Sequence, residues 1–225
     1  VTERISAVIP SFREADAITS CVNHCRAIAE ETIVADASST DRTAELAEAA
    51  GARLVLSAKG RGSQLNAGAA AAAGDVLLFV HADTLLPPEA RGAIQRAMAA
   101  GYSGGNFKLR FSPETWVSRV YATANHVRRR ALRLYYGDSC IFVRKSVFDA
   151  LGGFASVPLF EDQDFVQRLE RLAPTHYETR VVASTSSRRF SDKPLRTLAL
   201  WTTLQSLHAA GVSPQKLAQL YEDIR

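Results

Sequence analysis

What most constrains this chain is the alternation of two hydrophobic periods along its first half. ISAVIP, TIVAD, ARLVLS and DVLLFVH are short apolar runs that read as buried strands. Between the first two, Ile18, Cys21, Val22, Cys25, Ile28 and Ala29 recur at helical spacing. Between the second and third, Thr43, Leu46, Ala47 and Ala50 do the same, with Gly51 as the stop. An alanine-rich helix then follows the GRG turn and runs to Gly74. The order βαβαβαβ predicts a parallel sheet with helices on both faces. The chain has 225 residues, 47% of them hydrophobic, enough for one large α/β domain, and no linker divides it.

The second half changes style. GGNFKLRF reads as a strand opened by a glycine pair, TWVSRVYATANHVRRRALRL as a long helix with a basic end, and SCIFVR as another buried strand. A helix from about Glu161 to Leu172, a strand near YETRVVA and two C-terminal helices follow. The last helix has Ser213 as N-cap, Pro214 at its first position, and Leu217, Leu220, Tyr221 and Ile224 on one face.

In parallel sheets, ligands sit beyond the carboxyl ends of the strands. Here those ends carry Pro10 and Ser11, then Asp36, then His81 and Asp83. If the last strand stays extended, residues 81 and 83 aim at one side, as two ligands or as one ligand and the partner that orients it. Ser39 or Thr40 can cap the helix after Asp36, and Asp36 can equally accept from a base N–H or a ribose hydroxyl. In KGRGSQLNAG, Gly60 and Gly62 permit a tight turn, Ser63 can cap the next helix, and Arg61 with free backbone N–H groups makes an anion site. PLFEDQDFVQRL crowds Glu161, Asp162 and Asp164 into a helix start. The helix dipole favours acids there, and one of them can serve as a general base. Residues 161 and 164 fall near one face, with 162 turned about 100° from 161.

Composition narrows the partners. Lys and Arg number 27 against 23 Asp and Glu, a formal charge of +4, and the excess clusters in HVRRRALRLYY and SSRRF. That suits an anionic small ligand better than a nucleic-acid track, and no helix-turn-helix pattern or aromatic-studded basic surface is present. Neither a Walker-type phosphate loop nor a Gly-x-Gly-x-x-Gly fingerprint occurs. Cys21, Cys25 and Cys140 predict free, buried thiols in a reducing compartment. With Cys21 and Cys25 on an apolar helix stripe, metal binding with His24 is the weaker reading. Without a signal peptide or an 18-residue apolar run, the expectation is a soluble, cytoplasmic chain, with contact at the inner membrane face left open.

Taken in order, AVIPSFREADAI, IVADASSTDRTAELA, GRGSQLNAGAAAAAGDVLLFVHADTLLP, GGNFKLRF, GDSCIFVRKSVFDALGGF and FEDQDFVQRL resemble the motifs of glycosyltransferase family 2, from about residue 5 to about residue 190. The His-Ala-Asp strand end is similar to that of its bacterial "transferase 2, rSAM/selenodomain-associated" subset. The resemblance implies a single GT-A domain over residues 1–225: a Rossmann-like, mostly parallel sheet with helices on both faces and a mixed C-terminal part. Residues 1–100 would form the nucleotide-sugar half and 101–225 the acceptor half. It also implies inverting transfer from a UDP- or GDP-sugar to an acceptor hydroxyl, with a divalent cation, Mn²⁺ or Mg²⁺.

Position by position, the resemblance puts Pro10, Ser11 and Glu14 in the nucleoside pocket, Asp36 on the base and Asp41 nearby. Arg61, Gln64 and Asn66 would face the ribose or diphosphate, with Ala82 and Arg189 also at the donor. Gly104, Gly105 and Asn106 would lie near the donor sugar, and Gly137-Asp138 near the acceptor. Asp83 matches the family's metal-binding aspartate, and Asp162 its general base, with Glu161 as runner-up. His81 stands where many members have a second aspartate. An imidazole binds a divalent ion without adding negative charge, which shifts the preference toward Mn²⁺.

Two other functions fit parts of the pattern. A nucleotidylyltransferase would need Gly-x-Gly-x-Arg after the first strand, which IPSFREAD lacks, and His81 leaves room for a non-catalytic nucleotide-sugar binding module. Arg128, Arg129, Arg130 and Arg133 read as a solvated helix face or as a site for an anionic acceptor, such as a lipid-linked phosphate at a membrane. Arg188 and Arg189 could close over the donor diphosphate.

Overall fold

The four apolar runs of the first half are strands in the computed structural model, which describes residues 3–190, the side chain of Arg189 excepted, and residues 194–221. β1 (Ile5–Ser11), β2 (Glu31–Asp36), β3 (Arg53–Leu56) and β4 (Val76–Phe79) alternate with α1 (Ile18–Arg26), α2 (Thr43–Ala49) and α3 (Arg61–Ala71). β1 pairs in parallel with β2 on one side and β4 on the other, and β2 with β3. The sheet thus reverses its direction of growth at β1 and β4, and a crevice opens beyond their carboxyl ends.

The rest of the chain adds β5 (Thr84–Leu85), α4 (Glu89–Ala99), β6 (Gly104–Ser112), α5 (Trp116–Leu132), β7 (Ile141–Arg144), α6 (Lys145–Ala150), α7 (Glu161–Leu172), β8 (Thr175–Ser186), α8 (Pro194–Ala209) and α9 (Pro214–Leu220). Among the described residues the sheet has eight strands in the order β3-β2-β1-β4-β7-β6-β8-β5. β7 runs antiparallel to β4 and β6, and β5 antiparallel to β8, which gives the mixed second part. Buried residues fill both faces. Val22, Ala47 and Ile94 bring α1, α2 and α4 to one; Leu65, Phe148 and Phe165 bring α3, α6 and α7 to the other. A side chain at Gly68 would collide with Val8, so this glycine lets α3 lie directly on β1.

The position of β5 dictates the sheet's shape. Four strand spacings separate β4 from β5 in the sheet order, about 19 Å on a flat surface. Only residues 80–83 connect Phe79 to Thr84, a reach of about 17 Å fully extended. That link is shortened further by a turn, closed by the Thr84 N–H donating to the His81 carbonyl at 2.9 Å. The sheet therefore curls, bringing the end of β8 over the end of β4. The Ser186 N–H donates to the Asp83 carbonyl at 3.0 Å, and the Thr84 and Thr185 hydroxyls meet at 2.8 Å.

Several local expectations change. α4, α6 and β5 carry no strong sequence signal of their own. The first turn of α2 is served by Asp41, which accepts from the backbone N–H and hydroxyl of Thr43, rather than by Ser39 or Thr40. Ser63 lies inside α3, whose N-cap is Gly60 at φ 134°. Ile28 and Ala29 are buried just past the end of α1. On α9 Leu217 is buried but Leu220 is 57% exposed, and Ile224 lies outside the described residues. The three thiols are free and buried. Among the described residues no helix is long and apolar enough to cross a membrane.

Candidate active site

Two recesses open side by side at the crevice. The first, about 1200 Å³ including its open mouth, takes Pro10, Ser11, Glu14, Gln64, Ala82 and Arg188 into its walls. The second, about 780 Å³, is walled by Phe111, Tyr121, Tyr136, Phe160 and Phe190, with Asp138 and Asp162 also facing it. Arg61, His81, Asp83, Leu159, Glu161 and Trp201 line both. Each recess draws on both halves of the chain.

His81 and Asp83 reach this shared boundary by a route other than strand alternation. β4 ends at Phe79, and the pair sits on the turn that leads to β5. Asp83 is held by that turn: its Oδ1 lies 3.4 Å from the Thr185 hydroxyl, and its Oδ2 faces Arg188 Nη2 at 3.4 Å. The same guanidinium nitrogen donates to both Glu14 carboxylate oxygens at 2.8 Å. Burial pulls the Arg188 pKa down, and these carboxylates more than offset it, so the guanidinium is held above its ordinary value. The curl of the sheet causes this meeting, because Arg188 lies two residues past the end of β8.

Glu161 and Asp162 open α7, and both face the second recess. Helical spacing predicts residues 161 and 164 near one face, but Asp164 turns outward to Arg168 at 2.6 Å while Glu161 is buried. The helix begins after Phe160, whose φ of 64° costs a non-glycine residue about 1–2 kcal/mol and turns its chain abruptly into the helix. Glu161 is 2% exposed and faces Arg61 at 3.3 Å. Burial pushes its carboxyl pKa up, against the pull of Arg61, and Asp162 adds to the push. Asp162 Oδ2 accepts from the Gly137 N–H at 2.7 Å, and Oδ1 from the Gln163 N–H at 2.7 Å. A Cβ at position 137 would stand 2.7 Å from His81 Nε2 and 3.4 Å from Asp162 Oδ2, so the glycine permits all three groups to converge.

The remaining candidates separate. Gln64 Nε2 donates to the carbonyls of Ser11 and Ala35, fixing the first recess's floor. Asp36, 1% exposed, accepts from the Ser11 hydroxyl and from the hydroxyl and N–H of Ser39. Asp41 also receives the Ala15 N–H at 3.4 Å, tying the β1 loop to α2. Asn66 spends its amide on both the N–H and the carbonyl of Phe154, away from either recess. Gly104, Gly105 and Asn106 lie in β6, paired with β7. Asn106 is buried between Ser139 and Arg129. Arg189's side chain lies outside the described residues.

The arginine cluster is not one surface. Arg129 is 6% exposed, pairs with Glu170 at 3.1 Å, donates to Thr175 at 2.8 Å and stacks over Tyr135. Arg130 and Arg133 are exposed, whereas Arg128 is half-buried and reaches Asn125 Oδ1 at 3.2 Å. What sequence reading misses entirely is the aromatic wall. Phe111, Tyr121 and Phe190 touch one another with ring centres 5.3–5.8 Å apart, yet they come from β6, α5 and the turn after β8. No periodicity links such residues.

A crevice at the switch point of an α/β sheet, with polar groups on one side, an aromatic recess on the other and carboxylates between them, is the layout of a protein that brings two ligands together. The chain matches Glycosyl transferase family 2 over residues 6–152, and it belongs to that family. An uncharacterized glycosyltransferase of Rickettsia bellii (strain RML369-C) is 43% identical over 56 residues, 25% of this chain and 19% of that protein's length. Among solved structures, the mannosyltransferase PcManGT from Pyrobaculum calidifontis, in complex with GDP-Man and Mn²⁺, superposes with a TM-score of 0.70 at 17% identity, covering 96% of this chain and 67% of that one. Glucosyl-3-phosphoglycerate synthase from Mycobacterium tuberculosis, in complex with Mn²⁺, UDP and glucosyl-3-phosphoglycerate, gives 0.65 at 21% identity, covering 94% and 81%. The fold is GT-A, with its curled, mostly parallel mixed sheet.

Proposed function

We propose that this chain transfers a sugar, with inversion, from a nucleotide-diphospho-sugar to an acceptor hydroxyl. The observation that carries this reading is the meeting of two recesses at Asp83, His81 and Glu161, with Asp162 facing only the second. In it the first recess takes the donor, largely with residues 1–100, and the second takes the acceptor. The nucleoside would lie against Pro10, Ser11 and Phe12, and Arg61 and Arg188 would meet the diphosphate. The GDP-Man and UDP complexes of the structural neighbours support a donor of this class. Placement in the rSAM/selenodomain-associated subset rests on the His81-Ala82-Asp83 triplet. Free, buried thiols suit a reducing, cytoplasmic compartment.

The groups at the boundary fit a divalent cation shared with substrate. Among the described residues no cluster of three or more His, Cys, Asp or Glu is arranged to hold a metal, so no closed protein cage forms. One carboxylate and one imidazole, Asp83 and His81, leave positions for diphosphate oxygens and water, as in cations bound together with a substrate's phosphates. When bound, the cation would offset charge on the departing diphosphate.

Asp162 is the general base. Its two backbone N–H donors, from Gly137 and Gln163, fix the carboxylate's direction toward the acceptor recess. It takes the proton of the acceptor hydroxyl as that oxygen bonds the anomeric carbon from the face opposite the diphosphate. The carbon–oxygen bond to the diphosphate breaks, and its electron pair leaves with the nucleoside diphosphate. The test is turnover of UDP-glucose and GDP-mannose with and without Mn²⁺. Cation-dependent release of nucleoside diphosphate is expected. Pyrophosphate release would make the chain a nucleotidylyltransferase, and binding without turnover would make it a binding module.

A further inference from the structure

Away from the crevice, exposed apolar side chains concentrate on α5. Among the described residues eight large apolar side chains are exposed, and four of them, Trp116, Val120, Val127 and Leu132, belong to this helix. Single exposed apolar residues are normal, but these are not scattered. At about 100° per residue, Trp116, Val120 and Val127 fall within about 40° of one another, a stripe about 16 Å long. The opposite face of the helix holds the buried Ser118, Asn125 and Arg129, so the stripe points away from the protein.

The charge beside the stripe is of one sign. From Trp116 to Leu132 the sequence holds four arginines and neither Asp nor Glu. Arg119 and Arg130 are exposed on one flank of the stripe. Along that flank an open groove of about 730 Å³, including its mouth, runs between α5 and β6, and Lys108, Arg110, Arg119 and His126 line it. Glu114 also lines it and is paired with Arg119 at 3.0 Å, which leaves Lys108 and Arg110, both exposed on β6, as the surplus. Burial, then the nearby Lys108 and Arg130, pull the His126 pKa down, so these two cations gather near one neutral ring. Residues 191–193 bring one acid and one base by sequence and leave that surplus unchanged.

A projecting apolar stripe that starts at a tryptophan and is flanked by cations has the makeup of an interfacial helix. Its apolar side chains can enter a nonpolar layer by a few ångströms, and its cations then lie at the level of negative headgroups. A second copy of the chain seated on the same face would set like charges against one another.

We propose that α5 docks this chain on an anionic phospholipid bilayer. The helix lies in the interface plane, with Trp116, Val120 and Val127 at the boundary between headgroups and acyl chains and the Lys108–Arg110 groove against lipid phosphates. Docking does not depend on sugar transfer. Phe111 lines both the groove and the second recess, and Tyr121 of α5 lines that recess, so a bilayer seated here lies beside it.

Co-sedimentation of the 225-residue chain with vesicles of phosphatidylcholine alone, or mixed equally with phosphatidylglycerol, reads the docking directly. Binding to the anionic vesicles should exceed binding to the neutral ones more than about tenfold. It should fall as salt rises from about 0.1 M to about 1 M, where the Debye length shrinks from about 10 Å to about 3 Å. Lys108→Gln and Arg130→Gln should each weaken anionic-vesicle binding about fivefold. Val120→Ser combined with Val127→Ser should weaken it about tenfold through lost apolar burial. Brominated lipid should quench tryptophan emission in the wild type and far less in Trp116→Phe, since Trp201 lies at the recesses. All these substituted positions are exposed, so melting temperatures should stay near that of the wild type. Equal binding to both kinds of vesicle, binding to neither, or binding unmoved by these variants overturns the proposal. So does a concentration-dependent dimer in sedimentation equilibrium that the valine double variant disperses, because a second copy would then cover the stripe.

Discussion

The two recesses are separated by a few side chains and built on different principles. The first recess is assembled largely from loops that leave β1 and β4 and enter α3, and it is held by charge-assisted bonds: Arg188 to Glu14 and Asp83, and Arg61 to Glu161. The second recess is assembled largely from β6, α5, α7 and the turn after β8, and it is held by ring packing. The first has groups that can exchange partners when an anion arrives. In the second, shape and apolar area do the selecting while a carboxylate waits at one end. The two environments meet at Arg61, His81, Asp83 and Glu161, which line both.

The contrast is broken most sharply at Asp83. Asp83→Ala should remove Mn²⁺-dependent nucleotide-sugar affinity with little change in melting temperature, since this carboxylate lies on the crevice and outside the packed core. Calorimetry showing unchanged Mn²⁺-dependent affinity would take Asp83 out of the proposed donor site.

Asp162→Asn should lower transfer by about 10² to 10⁴ while donor affinity survives, because it removes a proton acceptor and leaves the first recess intact. Glu161→Gln should cost less. Equal loss of donor affinity and of transfer in Asp162→Asn would erase the distinction between the recesses.

Arg129→Gln probes the packing behind the aromatic side. Glu170 would be left buried without its cation, costing about 3–5 kcal/mol of stability by chemical denaturation. Arg130→Gln, on an exposed position, should be near neutral. A stable Arg129→Gln with impaired transfer would restore the cluster as an acceptor site.

Arg188→Ala should weaken donor binding about tenfold, a modest figure because the side chain is 45% exposed and its bonds are partly screened. The same variant should bind Mn²⁺ alone more tightly, since a competing cation has left Asp83. Titrations with Mn²⁺ and with donor in separate cells would read both changes, and unaltered affinity for both would remove Arg188 from the site.

The smallest effect is a pH dependence at Glu161. Its carboxyl pKa is raised in the folded state, so it adds stability at low pH that is lost as pH rises from the ordinary glutamate range through the raised value. The melting temperature of the wild type relative to Glu161→Gln should therefore fall as pH rises through that window. A difference that grows with pH would mean that the Arg61 pair outweighs burial.

Sequence alone determined the parallel half of the sheet, because strand and helix periods are local and each run buries its own apolar face. It also determined the bounds of α7, where an acidic first turn meets an amphipathic repeat, and the location of Pro10 and Ser11 at the end of β1, facing the crevice. Tertiary structure decided everything that depends on the curl. It turned residues 81–84 into a bend, set β5 beside β8, and delivered Arg188 to Asp83. It drew Asn66 and Asn106 into structural bonds, buried Arg129, and swung Glu161 beside Asp162 while Asp164 faced out. The aromatic recess belongs wholly to this second class. Its rings come from separate elements, and the apolar signal of each is indistinguishable from that of a core residue until the curled sheet brings them to one wall.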